Sequence, residues 1–537
     1  MVGLLLPAAL SQHVRRGLAL LASLLLGTAS PLLLLATARA ADRLDVRLDG
    51  LSLPIDLHQL EAWSLDPTGS RNELGIWLEL LDSSSREDLL SLLRSPLLPD
   101  RGFALQLLQS WAGRQVLEAV GELFAGGKPG SGVLLLTTLR ERLQRPEPIR
   151  FVDLLQAVPT PQLTLDLDGL LQLAALWRRQ LEEQTLALKQ LRDLPLRLLR
   201  QESETGARLA AIQPDPRPRA IALTVAHRPV PLELELWPAV APRQRSWVLL
   251  MPGLGGSSAQ LGWLARGLAA RGWPVLMIEH PGSNEAAVRQ MLDGQRPPPG
   301  AETLPDRLAD VEAVLAAERQ GQIPGLGDSV VLMGHSLGGL SALLASGLRP
   351  APGLTRRCER ALDVIPLINI SRLLQCQLQE VPLPEQASAR PGTLAAVVSF
   401  NGFGSLLWPG RGLERLKAPL LITGGGLDLV TPPVSEQLAL FLQHPDPRSR
   451  LVMVEGGSHF SVVRVKEQEQ ALWRLGDGLV GVEPVRVQEL LLSLTSDFLS
   501  SVDAAIPMAP QRRSRDGVTA YVLDGASARR WRRRIGP

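Results

Sequence analysis

The stretch Val330-Val331-Leu332-Met333-Gly334-His335-Ser336-Leu337-Gly338-Gly339 decides the fold, and it runs on into an apolar segment, 340–346. Four consecutive apolar residues ending at a glycine suit a strand buried on both faces, and the residues after Gly339 suit a helix. Between strand and helix, Gly-x-Ser-x-Gly makes a nucleophile elbow, a strained turn that lifts the Ser336 hydroxyl off the sheet. Bulkier residues at 334 or 338 would collide with neighbouring backbone. Ser336 also opens the helix, where the dipole and free N–H groups favour developing negative charge. The five-residue pattern alone is weak; its setting between a strand and a helix makes it specific.

Outward from the elbow, strands alternate with helices, the rhythm of a mostly parallel sheet covered on both faces. The predicted strands are 221–226, 232–237, 247–251, 275–279, 330–333, 394–400, 420–423 and 451–455, the first two an antiparallel hairpin turning at Arg228-Pro229. The fold class is therefore α/β, a doubly wound sheet spanning 219–505, with a helical insertion at 350–391 carrying both cysteines. That insertion is read as a roof over the active site, built on Leu354, Ile365, Leu367, Ile368, Ile370, Leu373 and Leu374; a brace against the N-terminal domain is the other reading. Upstream, 42–165 forms a mainly helical domain, opened by a hairpin around Asp49-Gly50. Residues 166–218 read as a helical linker with an amphipathic stretch at 170–199, ending in Pro214-Asp215-Pro216-Arg217-Pro218. Residues 506–537, rich in arginine, read as a disordered basic tail.

A serine hydroxyl needs a base to take its proton, and the base needs an acid to orient it. Downstream of Ser336 the chain has His444 and His459. His459, in Gly456-Gly457-Ser458-His459-Phe460 just after a strand, is better placed than His444 in its proline-flanked loop. His335 points away from its neighbour and reads as a core histidine. The acid should leave the end of the preceding strand, where Leu421-Ile422-Thr423-Gly424-Gly425-Gly426-Leu427-Asp428 places Asp428 ahead of Asp446 and Glu436. After the strand before that one stands Asn401, which carries no charge. The oxyanion donors expected are the N–H of Leu337 and that of Leu254, or alternatively Gly253, in Met251-Pro252-Gly253-Leu254-Gly255-Gly256. A phosphate-loop reading of these glycines fails because no Lys-Ser/Thr follows.

The chain has 537 residues, 45% hydrophobic and 20% charged, with a net charge of +2. That size suggests two or three units, and the charge provides no global field to recruit nucleic acid. Arginine far outnumbers the four lysines, Lys128, Lys189, Lys417 and Lys466, a skew that matches GC-rich coding bias. Residues 1–40 read as a signal peptide: Arg15-Arg16, an apolar run at 17–35, and Ala38-Arg39-Ala40 as the cleavage site. An uncleaved anchor is the alternative. In an exported protein Cys358 and Cys376 either bridge or stay as two small buried hydrophobes. Nothing in the pattern calls for a metal or a cofactor.

On these residues, 220–505 resembles the α/β-hydrolase superfamily in the order Ser336, Asp428, His459. The whole chain is similar to exported cyanobacterial α/β-hydrolases with an N-terminal domain of unknown function. That similarity rests on the segment from Leu53-Pro54-Ile55 to Pro159-Thr160-Pro161 and on Asn369-Ile370-Ser371-Arg372-Leu373-Leu374-Gln375-Cys376 in the insertion. The catalytic half is distantly similar to platelet-activating-factor acetylhydrolases and dienelactone hydrolases. A dienelactone hydrolase would carry Cys at 336, and dehalogenases and epoxide hydrolases Asp; the lone Tyr521 cannot supply the lid tyrosines of an epoxide hydrolase. The resemblance says little about substrate; the three residues themselves read as a serine hydrolase of carboxylic esters, of lipid or short acyl type, working without a cofactor on a small-molecule or lipid ester and in peripheral contact with a membrane. The rival is a non-catalytic protein binding envelope lipid or protein on a hydrolase scaffold.

Overall fold

A computed structural model of the chain describes residues 41–67, 73–79, 83–94, 105–108, 110–123, 131–145, 149–200, 216–240, 244–323, 326–362, 369–384, 393–464 and 482–536. The proposed signal peptide lies outside the described residues. So do Ile365, Leu367 and Ile368 of the insertion. No helix among the described residues is long and apolar enough to cross a membrane.

Near the N-terminus, β1 (Arg43–Leu48) and β2 (Leu51–Asp56) pair antiparallel, Val46 opposite Leu53. Asp49 and Gly50 both have positive φ, 50° and 76°, which a two-residue hairpin turn of this hand requires. A third strand that the periodicity did not predict, β3 (Gln162–Asp166), runs parallel to β1 on its other side. Helices Leu57–Leu65, Ser83–Arg94 and Phe151–Ala157 pack nearby, and Leu44, Leu57, Leu60, Trp63, Leu155 and Leu163 form the core of this unit.

The second sheet has eleven strands: β4 (Arg197–Arg200), β5 (Arg219–Leu223), β6 (Leu232–Trp237), β7 (Ser246–Met251), β8 (Val275–Ile278), β9 (Ser329–His335), β10 (Leu394–Phe400), β11 (Leu420–Gly425), β12 (Arg450–Val454), β13 (Gln511–Arg515) and β14 (Val518–Leu523). Their spatial order is β4-β13-β14-β12-β11-β10-β9-β7-β8-β6-β5. The central run from β8 through β12 is parallel, so all its C-terminal ends open at one edge. Side chains alternate across it: Leu249, Leu276 and Leu332 join the core on one face, Val248, Met277 and Val331 that on the other. All eight strands predicted from the apolar runs are present, with ends displaced by up to three residues.

Two expectations fail at the far edge. The arginine-rich tail is not a disordered segment: β13 and β14 form a hairpin that joins β12 antiparallel, and the helix Gly525–Ile535 buries Trp531 against the Ala187 carbonyl. Two of its arginines find carboxylates outside the tail. Arg513 pairs with Asp497 at 2.6 Å and Arg515 with Glu489 at 3.1 Å, both from the helix Pro484–Asp503. Nor is the linker purely helical. After the helix Leu167–Lys189 it adds β4 to the sheet edge, parallel to β13.

In the insertion, the helices Leu354–Leu362 and Ser371–Gln377 are joined by a disulfide between Cys358 and Cys376, with Cα atoms 5.5 Å apart. The second helix sits beside the segment that follows β11: Ser371 N–H donates to the Val430 carbonyl. The buried Glu436 carboxylate accepts from Asn369, Gln375 and Ser405. On its outer side Glu380 accepts from the Trp111 indole of the N-terminal unit at 3.0 Å, a contact of the kind a brace makes.

Candidate active site

Ser336 stands at the C-terminal end of β9 with φ 52° and ψ −117°, a conformation a non-glycine residue adopts only under constraint. The constraint comes from both sides: its N–H donates to the Phe400 carbonyl at 2.8 Å, and its carbonyl accepts from Leu340 in the following helix, Leu337–Ala345. The flanking glycines are forced by contact. A Cβ on Gly334 would stand 2.3 Å from the Gly338 backbone, and one on Gly338 would stand 2.2 Å from the Met251 carbonyl.

His459 follows β12 and reaches back over the sheet edge, its Nε2 3.0 Å from Ser336 Oγ and its Nδ1 3.0 Å from Asp428 Oδ2. These partners assign the tautomer, Nδ1–H facing the carboxylate and Nε2 accepting from the hydroxyl. Asp428 is fully buried after β11. Burial alone would raise its pKa. The His459 ring, with the hydroxyl and N–H of Thr431, outweighs burial and holds the carboxyl below its usual range. Its Oδ1 accepts the N–H groups of Val430 and Thr431, and its Oδ2 lies 2.8 Å from Asn401 Nδ2 and 2.7 Å from Thr431 Oγ1. An acid this densely bonded is fixed in place and stays ionised.

The other candidates sit elsewhere. His444 is buried against the Ala418 carbonyl, Asp446 pairs with Arg448, and Glu436 binds the insertion. His335 is buried, and its Nε2 donates to the His459 carbonyl at 2.9 Å, a bond that leaves Ser336 to His459. Burial, with His459 beside it, depresses its pKa to about 3, so it stays neutral. Asn401, set aside as the acid because it carries no charge, donates its amide to Asp428 and so supports the acid instead. Thr431 was not singled out from the sequence.

Beside Ser336 lies the loop after β7. A Cβ on Gly253 would be 3.4 Å from Ser336 Cβ, so this backbone passes directly beside the nucleophile position. The Gly255 N–H is bonded to the Ser283 carbonyl and that of Gly256 to the Gly253 carbonyl, while no backbone bond engages the N–H of Gly253 or Leu254 among the described residues. Leu337, first residue of its helix, has an N–H without an intrahelical acceptor. The half-exposed Phe460 ring stands edge-on to His459 at 5.1 Å. A cavity of about 730 Å³ between Ala187, Leu438 and Arg532 contains none of these residues. Among the described residues no cluster of His, Cys, Asp and Glu could hold a metal ion.

A family model described as "Alpha/beta hydrolase family" matches residues 248–472, a span that contains Ser336, Asp428 and His459. A second, "Alpha/beta hydrolase of unknown function (DUF1400)", matches residues 40–166. No curated protein matches the chain. Among solved structures, a dienelactone hydrolase from Anabaena variabilis is 21% identical, covering 53% of this chain and 98% of its own, at a TM-score of 0.34. With the strand order, the elbow and the two family matches together, the chain belongs to the α/β-hydrolase superfamily and carries an N-terminal domain of unknown function.

Proposed function

We propose that this hydrolase cleaves carboxylic esters, of lipid or short acyl type, through an acyl-enzyme on Ser336. The observation that carries the reading is the 3.0 Å contact between His459 Nε2 and the Oγ of a serine held at positive φ. Ser336 Oγ attacks the ester carbonyl as His459 takes its proton, and Asp428 balances the imidazolium that forms. The tetrahedral oxyanion faces the N–H of Leu337 and that of Leu254 or Gly253. His459 then protonates the leaving alcohol. A water molecule, activated by the same histidine, releases the acid.

We also propose that the protein works outside the cytoplasm; the Cys358–Cys376 bridge, which suits an oxidising compartment, and the leader-like sequence of 1–40 support this. The test is a panel of nitrophenyl esters from acetyl to palmitoyl, with covalent labelling by a fluorophosphonate. Turnover and labelling are both expected, and both should vanish in Ser336→Ala. Label on another serine, or turnover surviving in that variant, would refute the assignment.

A further inference from the structure

The segments that would hold the oxyanion are tied together by one buried guanidinium. Arg307, on the helix Leu304–Arg319, is 1% exposed. Its Nη2 donates to the Pro252 carbonyl at 2.5 Å, its Nη1 to Ser283 Oγ at 2.8 Å and its Nε to Ser341 Oγ at 3.1 Å. Among the described residues it makes no ion pair; the nearby Asp310 is taken up by His227, Arg228 and His280. A buried cation whose acceptors are neutral oxygens is costly, and apolar side chains would fill the same space at lower cost. Packing alone therefore does not explain it.

Each acceptor leads to the oxyanion side of Ser336. Pinning the Pro252 carbonyl sets the plane of the Pro252–Gly253 peptide, and in a trans peptide this fixes the direction of the Gly253 N–H. Ser283 belongs to the segment whose carbonyl accepts the Gly255 N–H, so it steadies the far end of the same loop. Ser341 donates its own hydroxyl hydrogen to the Leu337 carbonyl, in the first turn of the elbow helix. Resting on the reading of Ser336 as nucleophile, we propose that Arg307 is a positioning residue that holds the loop of Gly253 and Leu254 in register with the Leu337 N–H, so that both donors face one oxyanion. It acts on the transition state and leaves ground-state binding of the ester nearly alone.

The test compares Arg307→Met and Arg307→Lys with the parent protein, rates being taken per active site titrated with a fluorophosphonate. Arg307→Met is expected to lose about 10- to 100-fold in kcat with KM within about threefold. Affinity for a boronic acid, which forms a tetrahedral adduct on the serine, should fall in parallel with kcat. Arg307→Lys keeps the charge without the fork and should fall between the two. If Arg307→Met does not fold, the lysine variant decides alone. Either folded variant with parental kcat and parental boronate affinity would overturn the proposal, whereas a failure of the nucleophile reading would appear as turnover in Ser336→Ala.

Discussion

The two sides of Ser336 are held by different means. On the acid–base side the contacts are redundant. Asp428 takes hydrogen bonds from two backbone N–H groups, Asn401, Thr431 and His459, while His335 anchors the His459 carbonyl. On the oxyanion side one guanidinium spans three segments. A site built this way tolerates the loss of one supporting contact on the first side and should be sensitive to one side chain on the second. The reason lies in backbone chemistry: an anion gathers several donors around itself, whereas a loop that must keep N–H groups unengaged has to be held by its carbonyls.

The sharpest test of the first side is its base. His459→Gln is expected to lower kcat by about 10⁴-fold or more, while His444→Gln leaves kcat per titrated site near parental. The reverse pattern in steady-state kinetics would place the base at the wrong histidine. Asp428→Asn should cost about 10³- to 10⁴-fold, because an amide neither fixes the tautomer nor balances the imidazolium. A loss below tenfold would show that the surrounding donors alone orient the ring.

Both sides should weaken with acid, and by similar amounts. Burial holds His335 to about 3, with His459 adding to the effect, and it holds His280 to about 4, with Arg307 adding. Unfolded histidine titrates near 6.5, so below that pH the unfolded chain binds more protons and stability falls. Each group contributes fully above about pH 6.5 and gives up about 2 kcal/mol by pH 5. Asp428, with its carboxyl depressed, contributes nothing to the slope in this window; its share is lost only below the unfolded value near 4. Urea melts between pH 7 and 5 check this, and His335→Asn and His280→Asn should each flatten the profile.

The smallest effect expected is that of Thr431→Val. It removes a hydroxyl 2.7 Å from Asp428 Oδ2 but keeps the backbone N–H on Oδ1 and the Asn401 amide. A single such bond is worth about 1 kcal/mol, so kcat should fall about fivefold. A hundredfold loss at unchanged stability would erase the contrast between the two sides.

Much of the site was legible because it is local. The elbow is a strand, a turn and a helix within about twenty residues, and Asp428 and His459 could be picked out as residues just beyond strand ends. The eight strands of the predicted sheet were equally visible as short apolar runs. The other supports depend on neighbours distant in sequence. Arg307 lies 55 residues from the carbonyl it holds, and Asn401 27 residues from Asp428.

What the sequence determined by itself is the chain order of the eight predicted strands, the turn at Asp49-Gly50 and the strand-end positions of Ser336, Asp428 and His459, since period and glycine position act over a few residues. Tertiary structure decided the rest. Whether Cys358 and Cys376 bridge depends on two helices meeting 5.5 Å apart at their Cα atoms. Whether an arginine-rich end stays in water or joins a sheet depends on carboxylates elsewhere, here Asp497 and Glu489, coming within hydrogen-bond reach. Val518, Ala520 and Val522 alternate in that tail as a buried strand should, but the density of charge masked the pattern. Charge in a sequence reads as solvation because its partner is not in the same window, and only folding brings the partner close enough to cancel it.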